Sequence, residues 1–129
     1  MIEIRLLSPI EKENNIIRLR ELLSRADDLT LNFQDIEDNL NHYDIWVCLV
    51  DNKIVYALTA EVVNSVYFIG KGAGEGKLFP WPAFFEAMKP YAVSKECIEL
   101  SFSGNATWES KLESLGFSVK EYLYTVEIK

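Results

Sequence analysis

Two apolar runs of strand length, Ile45 to Val50 and Ile54 to Val63, stand either side of Asp51-Asn52-Lys53, a short polar connection suited to a hairpin. Asn64-Ser65 then turn the chain into Val66-Tyr67-Phe68-Ile69, a third strand, so the middle of the sequence is an antiparallel meander. The C-terminal third is of another kind. Pro82 to Lys95 reads as a helix, with Pro82 suited to its first turn, Phe84, Phe85, Met88 and Tyr91-Ala92 roughly on one face, and Pro90 expected to bend or shorten it. Cys97 to Phe102 is a strand, Ser103-Gly104 a turn, and Asn105 to Leu115 a helix stopped by Gly116. Phe117 to Ile128 is strand-like, with Tyr122, Tyr124, Val126 and Ile128 alternating. A meander leading into helix crossovers requires a mixed sheet.

The start of the chain supplies a strand and two helices. Met1 to Leu7 is rich in branched aliphatics and stops at Ser8-Pro9. From Ile10 to Ala26, Ile16, Ile17, Leu19, Leu22, Leu23 and Ala26 recur at spacings of three and four, the stripe of a core-facing helix with a solvated polar face. Asn32 is suited to cap a short helix carrying Phe33, Ile36 and Leu40 on one side. The expected order is β-α-α-β-β-β-α-β-α-β in a single domain spanning 1–129. The class is α+β (mixed α/β), with a central mixed, mostly antiparallel sheet flanked by helices.

Composition narrows the function. A chain of 129 residues buries roughly 65–70% of its unfolded surface and needs no disulfide or metal staple. Thirteen Lys+Arg against 20 Asp+Glu leave a net charge of -7, which repels a polyanion and argues against nucleic-acid binding. No apolar run nears the ~20 residues of a membrane helix, and the first residues lack the order of a secretion signal. A soluble, cytoplasmic protein is expected, in a host cell or a virion if phage-encoded. Cys48 and Cys97 are too few for a zinc site and read as buried free thiols, so no metal is expected.

Two stretches carry the chemistry. Lys71-Gly72-Ala73-Gly74-Glu75-Gly76 is a glycine-rich connection between a strand and a helix, and Asn105 to Phe117 is a helix closing on Leu115-Gly116-Phe117. Together they resemble the GCN5-related N-acetyltransferase (GNAT) superfamily, in which an Asn at a strand end opens a helix ending in Leu-Gly-Phe. There a glycine loop before a helix holds the coenzyme A pyrophosphate on backbone N–H groups, at the positive end of a helix dipole. The resemblance implies an acyl-CoA N-acyltransferase fold, acetyl-CoA as cofactor, and contacts to it from Lys71, Gly72, Gly74, Gly76 and Asn105, with Lys71 in place of the family's Gln or Arg.

Acetyl transfer to an amine also needs a base and a route to protonate the thiolate. Glu61, near a strand end, is the base candidate, set against a solvated carboxylate. Tyr122 and Tyr124 stand in for the family's tyrosine, whose position here is Leu112; they also read as half-buried sheet residues. His42, the only histidine, reads as a surface residue. Several residues oppose coenzyme binding. Leu78-Phe79-Pro80-Trp81-Pro82 separates the glycines from the helix, prolines donate no N–H, and Glu75 puts a carboxylate in the phosphate loop. The stretch Ser103-Gly104-Asn105-Ala106-Thr107-Trp108 is similar to small acetyltransferase-like proteins of tailed bacteriophages, which commonly keep the fold and lose the coenzyme loop. Two functions are therefore expected: a phage-derived binding protein with a degraded coenzyme site and a protein partner, or an acetyl-CoA-dependent N-acetyltransferase.

Overall fold

A computed structural model of the protein describes residues 2–26, 33–75, 80–103, 118–120 and 123–128. Strand β1 (Ile2–Leu6) leads into helices α1 (Pro9–Asn14) and α2 (Ile16–Leu23), a 3-10 turn (Ser24–Ala26) and α3 (Phe33–Asp38). The meander comprises β2 (Asp44–Val50), β3 (Lys53–Val63) and β4 (Val66–Gly74), and leads to α4 (Trp81–Ser94), β5 (Glu99–Ser103), β6 (Ser118–Lys120) and β7 (Leu123–Glu127). The described strands form one sheet in the order β1-β2-β3-β4-β5-β7-β6. Only β4 and β5 pair in parallel; every other neighbouring pair is antiparallel. This is the mixed sheet expected from the element order.

Local chemistry fixes the turns and caps. Ser8 caps α1 through a reciprocal pair: the Glu11 N–H donates to Ser8 Oγ at 3.2 Å and the Ser8 N–H to Glu11 Oε1 at 3.0 Å, with Pro9 in the first turn. Asp51 and Asn52 sit at φ 51° and 66°, the left-handed pair that a two-residue hairpin demands, between paired Val50 and Lys53. Alternation along the strands divides the core in two. On one face Trp46, Cys48, Leu58, Tyr67, Ile69, Leu100 and Phe102 pack with Phe84, Met88 and Ala92 of α4. On the other Ile45, Val47, Leu49 and Ala57 pack with Leu19, Leu22 and Leu23 of α2 and Phe33 and Ile36 of α3. Cys48 and Cys97 are both buried and free.

The structure departs from the expected elements at several points. The first helix is broken at Asn15, where φ -112° and ψ 17° interrupt α1 and α2, and the backbone and side-chain N–H groups of Asn15 both donate to the Glu11 carbonyl. Its polar face is not wholly solvated: Lys12 is buried, donating to the carbonyls of Leu40 and Tyr43 and tying α1 to the entry of β2. Helix α4 runs through Pro90 to Ser94; the proline sits on the exposed face and the packing of Met88 and Ala92 on either side carries the helix past it. The final strand is two, β6 and β7, paired with each other.

The difference that bears on function lies in the glycine segment, which begins as strand: Gly72, Ala73 and Gly74 pair with Leu58, Ala57 and Tyr56 of β3. Gly74 is required there by close approach, since a Cβ would lie 2.4 Å from the Val55 carbonyl and 2.3 Å from the Tyr56 ring. Backbone cannot give way as a flexible side-chain end would. Gly74→Ala should therefore destabilise the protein by about 1–3 kcal/mol, as an overpacked site does, measured as a lowered urea midpoint.

Candidate functional site

Strands β4 and β5 pair from Val66↔Glu99 to Ile69↔Phe102 and no further among the described residues. Beyond Ile69, β4 continues through Gly70 to Gly74 held on its β3 side alone. At the point of departure two residues, Gly70 and Lys71, oppose the single Thr59, because Leu58 pairs with Gly72 and Ala60 with Ile69. Such a bulge bends the strand and re-aims its backbone. Gly70 fits it because a Cβ would stand 2.9 Å from Thr59 Oγ1. Among the described residues this stretch of β4 has no strand partner on its β5 side, and an unpaired strand edge can receive an extended ligand.

Glu61 lies on β3 opposite Phe68 of β4, on the face away from α4, since its neighbour Ala60 belongs to the α4-side core. Its carboxylate contacts His42 Nε2. The histidine, read from the sequence as a surface residue, is exposed; it comes from the turn between α3 and β2, and the start of β2 at Asp44↔Ala60 carries it there. Tyr43 stands edge-on to the imidazole at 5.1 Å; burial raises its phenol's pKa, and the charges of Glu61 and Asp35 add to that.

The other candidates are dispersed. Tyr124 takes the register position opposite Phe102, and Phe102 opposite Ile69. Strands β4 and β5 stand between it and Glu61, so the two backbones are about 14 Å apart at ordinary strand spacing. Lys71 and Gly72 are on β4 and Gly74 ends it. Tyr122, Gly76 and Asn105 lie outside the described residues.

A buried polar network that the sequence did not announce sits on the α4 face. The Tyr67 hydroxyl donates to Asp44 Oδ2 at 2.7 Å and accepts from Trp46 Nε1 at 2.8 Å, and Tyr91 of α4 packs 5.6 Å from Trp46 and 5.7 Å from Tyr67. Burial, with the Asp44 carboxylate, pushes the Tyr67 phenol far above the usual tyrosine range. Tyr67 is thus a fixed neutral donor, which suits it to holding Asp44 in place.

The start of α4 decides how a phosphate group fares here. Of the four N–H groups a helix leaves free at its N-terminus, Pro80 and Pro82 lack theirs, and the cap makes no side-chain hydrogen bond. Glu75 spends its own N–H on the Val55 carbonyl at 2.8 Å. Its carboxylate meets Arg18 at 2.9 Å, which holds its pKa below the usual carboxylate range, Lys53 and Arg25 adding to the effect. The two prolines leave Trp81 and Ala83 as the N–H donors of this helix end.

No protein-family model matches the chain, and no curated protein matches its sequence. Solved structures do match its shape. Tetrahymena GCN5 superposes with a TM-score of 0.76 at 12% identity, over 98% of this chain and 96% of that one. The ribosomal-protein-S18-alanine N-acetyltransferase of Escherichia coli gives 0.74 at 15% identity, over 100% and 95%. This chain has the GNAT fold. A GNAT family acetyltransferase of Brucella melitensis, solved with acetyl-CoA, gives 0.70 at 13% identity, over 100% and 89%; at such identities the likeness is one of fold, and the sites have to be compared residue by residue. Among the described residues no helix is long and apolar enough to cross a membrane, and no group of three metal-ligating side chains is found.

Within this GNAT-fold chain Tyr67→Phe removes the hydroxyl that donates to Asp44 and accepts the Trp46 N–H. The loss should be roughly 1–3 kcal/mol, the cost of leaving buried polar groups unpaired, read from urea unfolding followed by Trp fluorescence.

Proposed function

We propose that this protein is a phage-encoded domain that keeps the GNAT fold and works by binding a protein partner, as a virion component or on a host protein in the cytoplasm, without transferring acetyl groups. One observation carries the reading. The first turn of α4 opens Pro80-Trp81-Pro82, so the helix end that would receive a pyrophosphate lacks half its donors, and no side chain caps it to compensate. A net charge of -7 opposes a polyanionic cofactor over longer range. The phage assignment is supported by Ser103 to Trp108 and the closing Leu115-Gly116-Phe117.

A second reading, an acetyl-CoA-dependent N-acetyltransferase acting on an amine of a small molecule or protein, is favoured by the parting of β4 from β5 after Ile69. Acetyl-CoA would then lie along Lys71, Gly72, Gly74 and Gly76. Glu61, oriented by His42, would accept the proton of the substrate ammonium from the face of the sheet opposite α4. Asp35 and Glu61 make that approach acidic, which suits a cation.

Calorimetric titration with acetyl-CoA separates the two. The binding-protein reading expects no heat at millimolar ligand; a dissociation constant in the micromolar range, about -8 kcal/mol, would overturn it in favour of the enzyme.

A further inference from the structure

Three cations from separate parts of the chain converge on the carboxylate of Glu75. Arg18 of α2 reaches it directly, at 2.9 Å, and Lys53 at the start of β3 and Arg25 just after α2 attract it from further off. The Arg18 guanidinium is fixed independently of Glu75: its Nε donates to the Ile54 carbonyl at 2.9 Å and one terminal nitrogen to Glu21 Oε1 at 2.7 Å. Arg25 is oriented toward the same place, donating to the Gly74 carbonyl at 3.2 Å. Arg18 and Lys53 also line a cleft of about 420 Å³, with Arg5, Asn15, Asn52 and Glu11 on its other walls; Arg5 takes up the Glu11 carboxylate at 3.0 Å.

We propose that Arg18, Arg25 and Lys53 form an oxyanion-binding position, that the Glu75 carboxylate is its resident occupant, and that a phosphate-type anion takes the position once that carboxylate is displaced or neutralised. Among the described residues the three cations outnumber the carboxylates that pair with them, Glu75 and a Glu21 shared between Arg18 and Arg25. A phosphate or pyrophosphate group brings more charge and offers a pre-oriented guanidinium the paired oxygens it binds best. Displacement needs only a side-chain rotation, because the Glu75 backbone stays anchored to Val55 while 41% of its side chain is exposed. The position is not the α4 N-terminus: α2 and α4 pack on opposite faces of the sheet. It stands whether or not the protein is an enzyme.

The test uses the full chain with the charge-only substitution Glu75→Gln and inorganic pyrophosphate, titrated by calorimetry at neutral pH. Glu75→Gln should bind pyrophosphate at least about tenfold more tightly than the wild type, a gain of about 1.4 kcal/mol, and adding Arg18→Gln should abolish the gain. Equal affinity in Glu75→Gln and wild type, or a gain that survives Arg18→Gln, overturns the proposal. Should Glu75→Gln fail to fold, Glu75→Ser is read in the same way. Acetyl-CoA titrated into the same variant identifies the source: a matching gain assigns the position to the phosphates of a coenzyme, and its absence beside a pyrophosphate gain assigns it to another phosphate. A failure of wild-type acetyl-CoA binding leaves both outcomes readable.

Discussion

The close approach of β3 and β4 at Gly74 governs the rest of the structure. A glycine with its missing Cβ within 2.4 Å of the Val55 carbonyl lets β4 run on as strand, so the glycine-rich segment is drawn toward β3 and away from β5. The parting of β4 from β5 after Ile69, the bulge at Gly70 and Lys71, and the delivery of Glu75 to Arg18 all depend on it. Close approach accounts for two of the glycines. Gly70 and Gly74 are needed for packing against Thr59, Val55 and Tyr56, which is a demand of the sheet and holds with or without a phosphate.

Much of the fold was legible because its signals are local. Asp51-Asn52 can adopt the left-handed turn, Ser8 and Glu11 cap reciprocally, and the apolar stripes of α2 and α4 declare their buried faces. The misreadings share a cause as well. Glycines carry no side-chain periodicity and little strand propensity, so the pairing of Gly72 and Gly74 with β3 could be seen only from the partner strand. The break at Asn15 is a departure of one residue from helical dihedrals, which an apolar stripe does not register, and the passage of α4 through Pro90 depends on tertiary packing that outweighs a local penalty.

The site was legible as residue types and illegible as geometry. Glu61 could be picked out as a carboxylate near a strand end, but its partner His42 comes from another element, and only the pairing of β2 with β3 brings them together. Arg18 and Arg25 read as members of a solvated helix face; their targets, Glu75 and Gly74, lie more than forty residues along the chain. The Tyr67 network was hidden for the converse reason. Tyrosine and tryptophan in strands look like packing, and nothing in the spacing of Asp44, Trp46 and Tyr67 states that their polar ends meet.

Gly72, Ala73 and Gly74 are sheet, spent on β3, and therefore not a loop free to wrap a ligand. Native-state amide exchange at Glu75, whose N–H donates to the Val55 carbonyl at 2.8 Å, tests this most directly. The amide should exchange at least roughly a hundredfold more slowly than in an unstructured peptide, as a sheet hydrogen bond does. Exchange at the peptide rate would contradict the assignment and return the segment to the free phosphate loop that the sequence first implied.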